Sequence, residues 1–320
     1  MKNSHGIMRK YLSRIKKIKK QLYFLQKEDF KPALDGTNYK VFLSQNYVIR
    51  FRDDNPHLLI REAMFLKQAN YSLIPKVLWV GRIDKSMAMI ENRLPGKTIN
   101  LIWPSLLKTD QKRIVKQIVE FIKYLRAQRM SYFYSVNTGK KYQSFLSYLN
   151  DGVDQKIINI QKYDITKKLL EDLLLIINNP KNRKLFARKA VVTQGDLIIH
   201  NLLSDGKKLT GVLDWELAQL GDPDYDLCRL FYYQECAKAY QEKGADETFE
   251  SDYMDKLISA ILDSGLIKNE KKFYEKYKVV RAFFYLNALN WAARSRFPKK
   301  NIQELIDQWN KKTGQASFIA

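Results

Sequence analysis

The hydrophobic period of this chain changes near residue 100, and that change limits the fold more than any other feature. Before it, "NYKVFLS" and "NYVIRFR" are short runs rich in aromatic and β-branched residues, with Gln45-Asn46 between them suited to a hairpin turn. "LLIREAMFLKQA" then reads as a helix, and "IPKVLWVGRI" and "SMAMIEN" as further strands. After it, a 3.6-residue period dominates. "QKRIVKQIVEFIKYLRAQ" follows Thr109 and Asp110 as caps, "DITKKLLEDLLLIINN" ends at Asn179-Pro180, and residues 250–264, 271–294 and 301–311 read as helices. Strands gathered first and helices afterwards give an α+β fold class with an antiparallel sheet. The pattern predicts a small sheet-based lobe over residues 1–92 and a larger, mainly helical lobe over 93–320, with "RLPG" breaking the chain between them.

Composition excludes some classes. The chain has 320 residues, 45% of them hydrophobic, and can bury a sizeable core. No apolar run approaches the ~20 residues of a membrane span, and no signal-peptide pattern opens the sequence. Its two cysteines, Cys228 and Cys236, read as reduced thiols, two turns apart if their segment is helical, so a cytoplasmic location is expected. The net charge of +22 is unevenly spread. Residues 1–31 carry ten Lys/Arg against two acids, net +8, whereas residues 222–255 carry ten acids against three bases, net −7. Apolar residues at 8, 11, 12, 15, 18, 22 and 25 predict a basic amphipathic helix over about 5–27. Its apolar stripe is expected to pack on its own domain and leave the lysines in water, with no specific nucleic-acid partner.

The stretch "QGDLIIHNLLSDGKKLTGVLDWELAQLGDPDYDL" then concentrates oxygen ligands. Asp196 stands five residues before Asn201, and Asp214 ends the next apolar run. Phosphoryl transfer needs an oriented nucleophile, held phosphates and a Mg²⁺ fixed by hard oxygen ligands, of which one or two from the protein suffice. In kinases an Asp meets the incoming hydroxyl, an Asn five residues on binds metal, and an Asp at the end of the next hairpin is the second ligand. Each residue has a plainer reading: Asp196 and Asn201 as turn residues, Asp214 as the cap of a helical segment starting at Trp215, Asp226 as a brace. The three together, in this order, favour kinase chemistry.

With these residues the chain resembles the aminoglycoside phosphotransferase and choline kinase superfamily, kinase-like enzymes with a bilobed fold that act on small molecules. The resemblance implies that Asp196 orients or deprotonates the acceptor hydroxyl, while Asn201 and Asp214 hold Mg²⁺. Arg50 in "YVIR" would contact the ATP phosphates and Glu62 would pair with it, Arg52 being the competing candidate. Gly36 in "LDGTN" would belong to the nucleotide-covering loop, and backbone groups of Ile90, Glu91 and Asn92 would meet adenine. Two positions depart from the family pattern: Gln194 replaces the usual His, and "IIH" fills a tripeptide that often holds Pro and Gly.

The implied activity is ATP- and Mg-dependent O-phosphorylation of a small-molecule hydroxyl, with GTP left open as co-substrate. Carboxylates and aromatics in and after 222–255 favour an aminoglycoside- or amino-alcohol-like acceptor. A hydroxyacyl compound or a sugar is the alternative, since "LTGVLDWELAQLGDP" also resembles kinase domains attached to some acyl-CoA dehydrogenases. A kinase-like binding or effector protein with little transfer activity is the rival of a different class. Oligomeric state is not legible in the sequence.

Overall fold

The computed structural model describes residues 2–33, 40–69, 71–242 and 248–313. The chain divides into two compact units. The first comprises residues 1–114, 136–140 and 196–218, the second residues 115–135, 141–195 and 219–320.

In the first unit, α1 (Lys2–Gln21) precedes an antiparallel sheet of β1 (Lys31–Pro32), β2 (Lys40–Leu43), β3 (Tyr47–Arg52), β4 (Val77–Ile83) and β5 (Ser86–Asn92). The order is β1-β2-β3-β5-β4, so β3 and β5 lie in the middle. Helix α2 (Pro56–Gln68) lies against β4 and β5, with Pro56 at its start, where a missing N–H costs nothing.

Strand periodicity decides which side of the sheet each residue serves. Ile49 and Phe51 of β3 join Phe42, Ala88 and Ile90 in one apolar cluster, and the α1 stripe of Tyr11, Ile15 and Ile18 completes it. Arg50 and Arg52, offset by one, therefore belong to the opposite face. The amphipathic α1 is thus part of the sheet's core, and two of its lysines reach acids of the same unit: Lys17 pairs with Asp84 at 2.5 Å and Lys10 with Asp53 at 3.4 Å.

After β5 the chain forms β6 (Lys97–Thr98), which pairs antiparallel with strand Leu202–Ser204, itself hairpinned to Leu209–Val212. Gly96 makes this possible: its φ is +103°, and a Cβ there would sit 2.5 Å from the Ser204 carbonyl oxygen. This pairing draws residues 196–218 into the first unit, beyond the segment 1–92 read as a lobe from the sequence.

In the second unit, a five-stranded antiparallel sheet takes the order Arg129–Met130, Ala190–Thr193, Gln219–Gly221, Phe133–Ser135, Lys141–Tyr142. The strands at 129–142 are two or three residues long, too short to show a period in the sequence. Helix Glu270–Ala293 is the hub, burying Phe273, Val280, Phe283, Leu286 and Leu289 among others. It packs on helices Val153–Ile160, Lys167–Ile177, Tyr225–Glu242 and Pro298–Thr313. An apolar pattern running almost all round a helix is what such a position requires. Cys228 and Cys236 both lie on helix Tyr225–Glu242 and are unbridged.

Because α1 closes the apolar cluster, Ile18→Ala should lower stability by about 2–5 kcal/mol. The exposed Lys16→Ala should change it by less than about 0.5 kcal/mol. Chemical denaturation of the two variants checks this.

Candidate active site

The hairpin explains the sequence spacing. Leu202 pairs with Val212, and at the next step outward the Leu213 N–H donates to the Asn201 carbonyl at 2.7 Å. Asn201 and Asp214 therefore flank the open end of one hairpin, although thirteen positions separate them in the sequence. Asn201 closes a 3₁₀ turn, Ile199–Asn201, and its amide Nδ2 donates to both the carbonyl and the Oδ2 of Asp196, each at 2.9 Å. One side chain so fixes the Asp196 carboxylate and turns its own carbonyl oxygen away from it.

Asp214 has a φ of +54°, a left-handed conformation rare for a residue with a Cβ. No helix follows it. Residues 216 and 217 form a turn, so the reading of Asp214 as the cap of a helix starting at Trp215 is corrected. Two bonds hold the backbone there. The Trp215 N–H donates to Glu62 Oε1 at 3.2 Å, and its buried indole donates to the Val212 carbonyl at 2.9 Å.

Glu62 is wholly buried and accepts from Arg50 at 2.5 Å through the same Oε1. Arg50 also approaches Glu91 at 3.6 Å. Arg52 points elsewhere, donating to Asp54 at 3.1 Å and to Glu216 at 2.8 Å. The two arginines have different partners: Arg50 faces Glu62 and Glu91, whereas Arg52 ties β3 to the residue two past Asp214. The Arg52–Glu216 pair escaped sequence reading because 164 positions separate its members.

Of the residues implied for adenine, Ile90 has its side chain in the α1-facing cluster, and Glu91 lies toward Arg50. Ile90 pairs with Ile49 on one side and Trp79 on the other. Asn92 donates its N–H to the Lys76 carbonyl at 3.1 Å and accepts the Lys76 N–H on Oδ1 at 2.5 Å. These strand bonds occupy much of the backbone of 90–92, a commitment invisible in the sequence. Gly36 and the rest of "LDGTN" lie outside the described residues.

The electrostatics point to a cation. Burial, then the neighbouring Glu62, pushes the Asp214 carboxyl up to about 7, with Glu216 and Asp196 adding to the effect and Arg50 opposing it. Glu91 is raised for the same first reason. Among the described residues no group of three His, Cys, Asp or Glu assembles as a metal cage. The donor set is one carboxylate and one amide oxygen, both hard, as suits a divalent cation whose other ligands come from nucleotide and water.

In the second unit, Asp226 is buried and its carboxylate accepts the N–H of Gln194 at 3.0 Å and of Gly195 at 2.8 Å. It braces the two residues that immediately precede Asp196, and Gly195 has a φ of +82°. Burial raises the Asp226 carboxyl to about 6 against the pull of these bonds. The Gln194 that replaces the family's His is itself buried, with its backbone secured this way. His200 is exposed, next in sequence to Asn201.

The model of the phosphotransferase enzyme family matches residues 31–255. The chain belongs to the phosphotransferase enzyme family. It is a small-molecule phosphotransferase with the kinase-like α+β fold. An aminoglycoside phosphotransferase APH(4)-Ia variant in ternary complex with AMP-PNP and hygromycin B superimposes with a TM-score of 0.64 at 14% identity, over 91% of this chain and 98% of that one. APH(2'')-IIa with streptomycin and ATP gives a TM-score of 0.64 at 17% identity, over 91% and 94%. ADP-bound APH(2'')-Ib gives 0.61 at 18%, over 92% and 97%. No curated protein matches the sequence. Among the described residues, no helix is long and apolar enough to cross a membrane.

A pH dependence follows from the raised carboxyls of Asp214, Asp226 and Glu91. In metal-free protein each keeps a proton in the native state that the unfolded chain releases near pH 4, so its contribution is full below about pH 4 and lost as pH rises through the folded value. Asp53 and Asp84, held below the ordinary range, titrate under that window. Melting of metal-free protein should fall between pH 5 and pH 8. Asp214→Asn should be more stable than wild type at pH 8 by at least about 1 kcal/mol, and equal to it near pH 4.

Proposed function

We propose that this protein transfers the γ-phosphoryl group of ATP, with Mg²⁺, to a hydroxyl of a small molecule. The observation that carries the proposal is the hairpin that sets Asp196, Asn201 and Asp214 together, with Arg50 and Glu62 in the same unit. In this reading Asp196, anchored through Oδ2 by Asn201, takes the acceptor hydroxyl's proton as the oxygen attacks phosphorus. Asn201, through its amide oxygen, and Asp214 are the metal ligands. Bound there, Mg²⁺ supplies neutralisation of charge on the β- and γ-phosphate oxygens. Arg50 lies along the α- and β-phosphates, its guanidinium held in orientation by Glu62. An Arg gives a planar fork where a Lys would give a point charge, so the Glu62 bond fixes its plane as well as its position.

The functional division proposed is a nucleotide side in residues 1–92, Gly36 and the Ile90–Asn92 backbone included, and a catalytic and acceptor side in 93–320. Nucleotides in the similar structures support ATP as co-substrate. The unbridged thiols suit the cytoplasm. For the acceptor, the hygromycin B and streptomycin bound to those structures support an aminoglycoside-like compound. A hydroxyacyl compound or a sugar is the alternative acceptor.

Asp196→Ala should bind MgADP within about threefold of wild type while phosphoryl transfer falls by roughly 10²–10⁴. Asp214→Ala should lose both transfer and most of the magnesium-dependent part of nucleotide affinity. Calorimetric titration with and without Mg²⁺, beside ADP release, separates the two. Normal transfer by Asp196→Ala would remove Asp196 from the role of base.

A further inference from the structure

We infer that the outward face of α1 is a docking surface for an anionic lipid bilayer. The residues concerned all lie in the first unit. Arg9, Ser13, Lys16 and Lys20 are spaced by four, three and four residues, so they form one line along the helix. Each stands two positions before a residue in or packed on the sheet's apolar cluster: Tyr11, Ile15, Ile18 and Leu22 in turn. Two positions are about 200° round a helix, so the line is turned away from the sheet. All four of its residues are exposed, as is Lys27 in the segment that follows.

A helix face that meets only water normally mixes both signs of charge. Other helices of this chain do so. Arg113 pairs with Asp110 and Lys123 with Glu120 on helix Lys108–Ala127, and Lys256 pairs with Asp252 on helix Thr248–Asp263. Helix α1 holds no acid, and none occurs in the sequence before Glu28. Lys16 and Lys20 are like charges one turn apart, a pairing that weakens a helix. Asp53 and Asp84, the acids that reach α1 among the described residues, take Lys10, Lys17 and the buried Arg14 along its flank. A line of one sign held outward is complementary to a surface of the other sign.

The apolar side chains near the line decide which surface. Leu12 is exposed on the helix, and just past its end Phe24 is exposed and Tyr23 is 83% exposed. Phe24 rests on Tyr47, with ring centroids 5.3 Å apart, and the next residue, Leu25, is anchored in the core. The headgroup level of a membrane suits this combination, because cations meet lipid phosphates there while rings and methyl groups enter the acyl boundary. A nucleic acid would use the cations but would give Leu12 no apolar surroundings. Since the apolar stripe of α1 stays on the sheet, the contact is peripheral, largely electrostatic and reversible by salt.

The test is co-sedimentation of the full chain with vesicles of phosphatidylcholine alone or mixed with phosphatidylglycerol. We expect sedimentation with the mixed vesicles at low salt, its loss as salt is raised, and none with phosphatidylcholine alone. Arg9→Glu, Lys16→Glu and Lys20→Glu combined should reduce affinity for mixed vesicles at least about tenfold, with an unchanged circular dichroism spectrum. Lys116→Glu, Lys168→Glu and Lys268→Glu combined make the same change of net charge at exposed positions of the second unit, and should leave affinity within about twofold. No sedimentation of wild type with mixed vesicles, or equal loss in the two triple variants, would overturn the inference. Binding of a single-stranded RNA in preference to the mixed vesicles would also overturn it.

Discussion

The arrangement of the candidate site depends on one buried carboxylate. Glu62 projects from α2 and binds two groups from distant parts of the chain: the Arg50 guanidinium on β3 and the Trp215 N–H beside Asp214. A buried carboxylate without such partners would be costly, so its presence inside the unit demands both. In exchange it fixes a strand cation and a loop backbone relative to each other. Asp214 can then keep its left-handed φ, a conformation that local sequence alone would not maintain. Arg52 and Glu216 form a second tie across the same two elements, and neither tie relies on apolar contact.

Much of this was legible in the sequence, for physical reasons. The spacing from Asp196 to Asn201 fits one tight turn, and the distance from Asn201 to Asp214 is that of a hairpin whose ends must meet. Strand alternation placed Arg50 and Arg52 on one face, and the α1 stripe announced its burial through its period. What the sequence hid was long-range or subtle. Nothing local tells the surroundings of Arg50 from those of Arg52, because their partners are Glu62 and Glu216, one of them from far along the chain. The turn after Asp214 looked helical, since a left-handed residue leaves no compositional mark when it is not Gly. Asn92 looked available to a ligand because its bonds to Lys76, sixteen positions earlier, leave no local mark in the sequence.

Charge shows the same divide between sequence and space. Read linearly, residues 222–255 form an acidic district; folded, the buried Asp222 and the half-buried Asp224 and Glu235 each meet a cation from a helix elsewhere in the chain. Lys276 is the clearest case. Burial would lower its pKa, but Asp222 and Asp224 outweigh that and keep it above the ordinary value. Pairs of this kind contribute more to specifying one packing than to net stability.

The central claim is that Glu62 organises the phosphate-binding groups through Arg50 and the backbone at Asp214. Calorimetric titration of Glu62→Gln with MgADP tests it most directly, alongside circular dichroism to establish that the variant is folded. Gln keeps the shape and one acceptor oxygen but loses the charge that holds Arg50. The account predicts a folded protein with MgADP affinity reduced at least about tenfold, roughly the weight of one charge-assisted bond. A folded Glu62→Gln with wild-type affinity would contradict it.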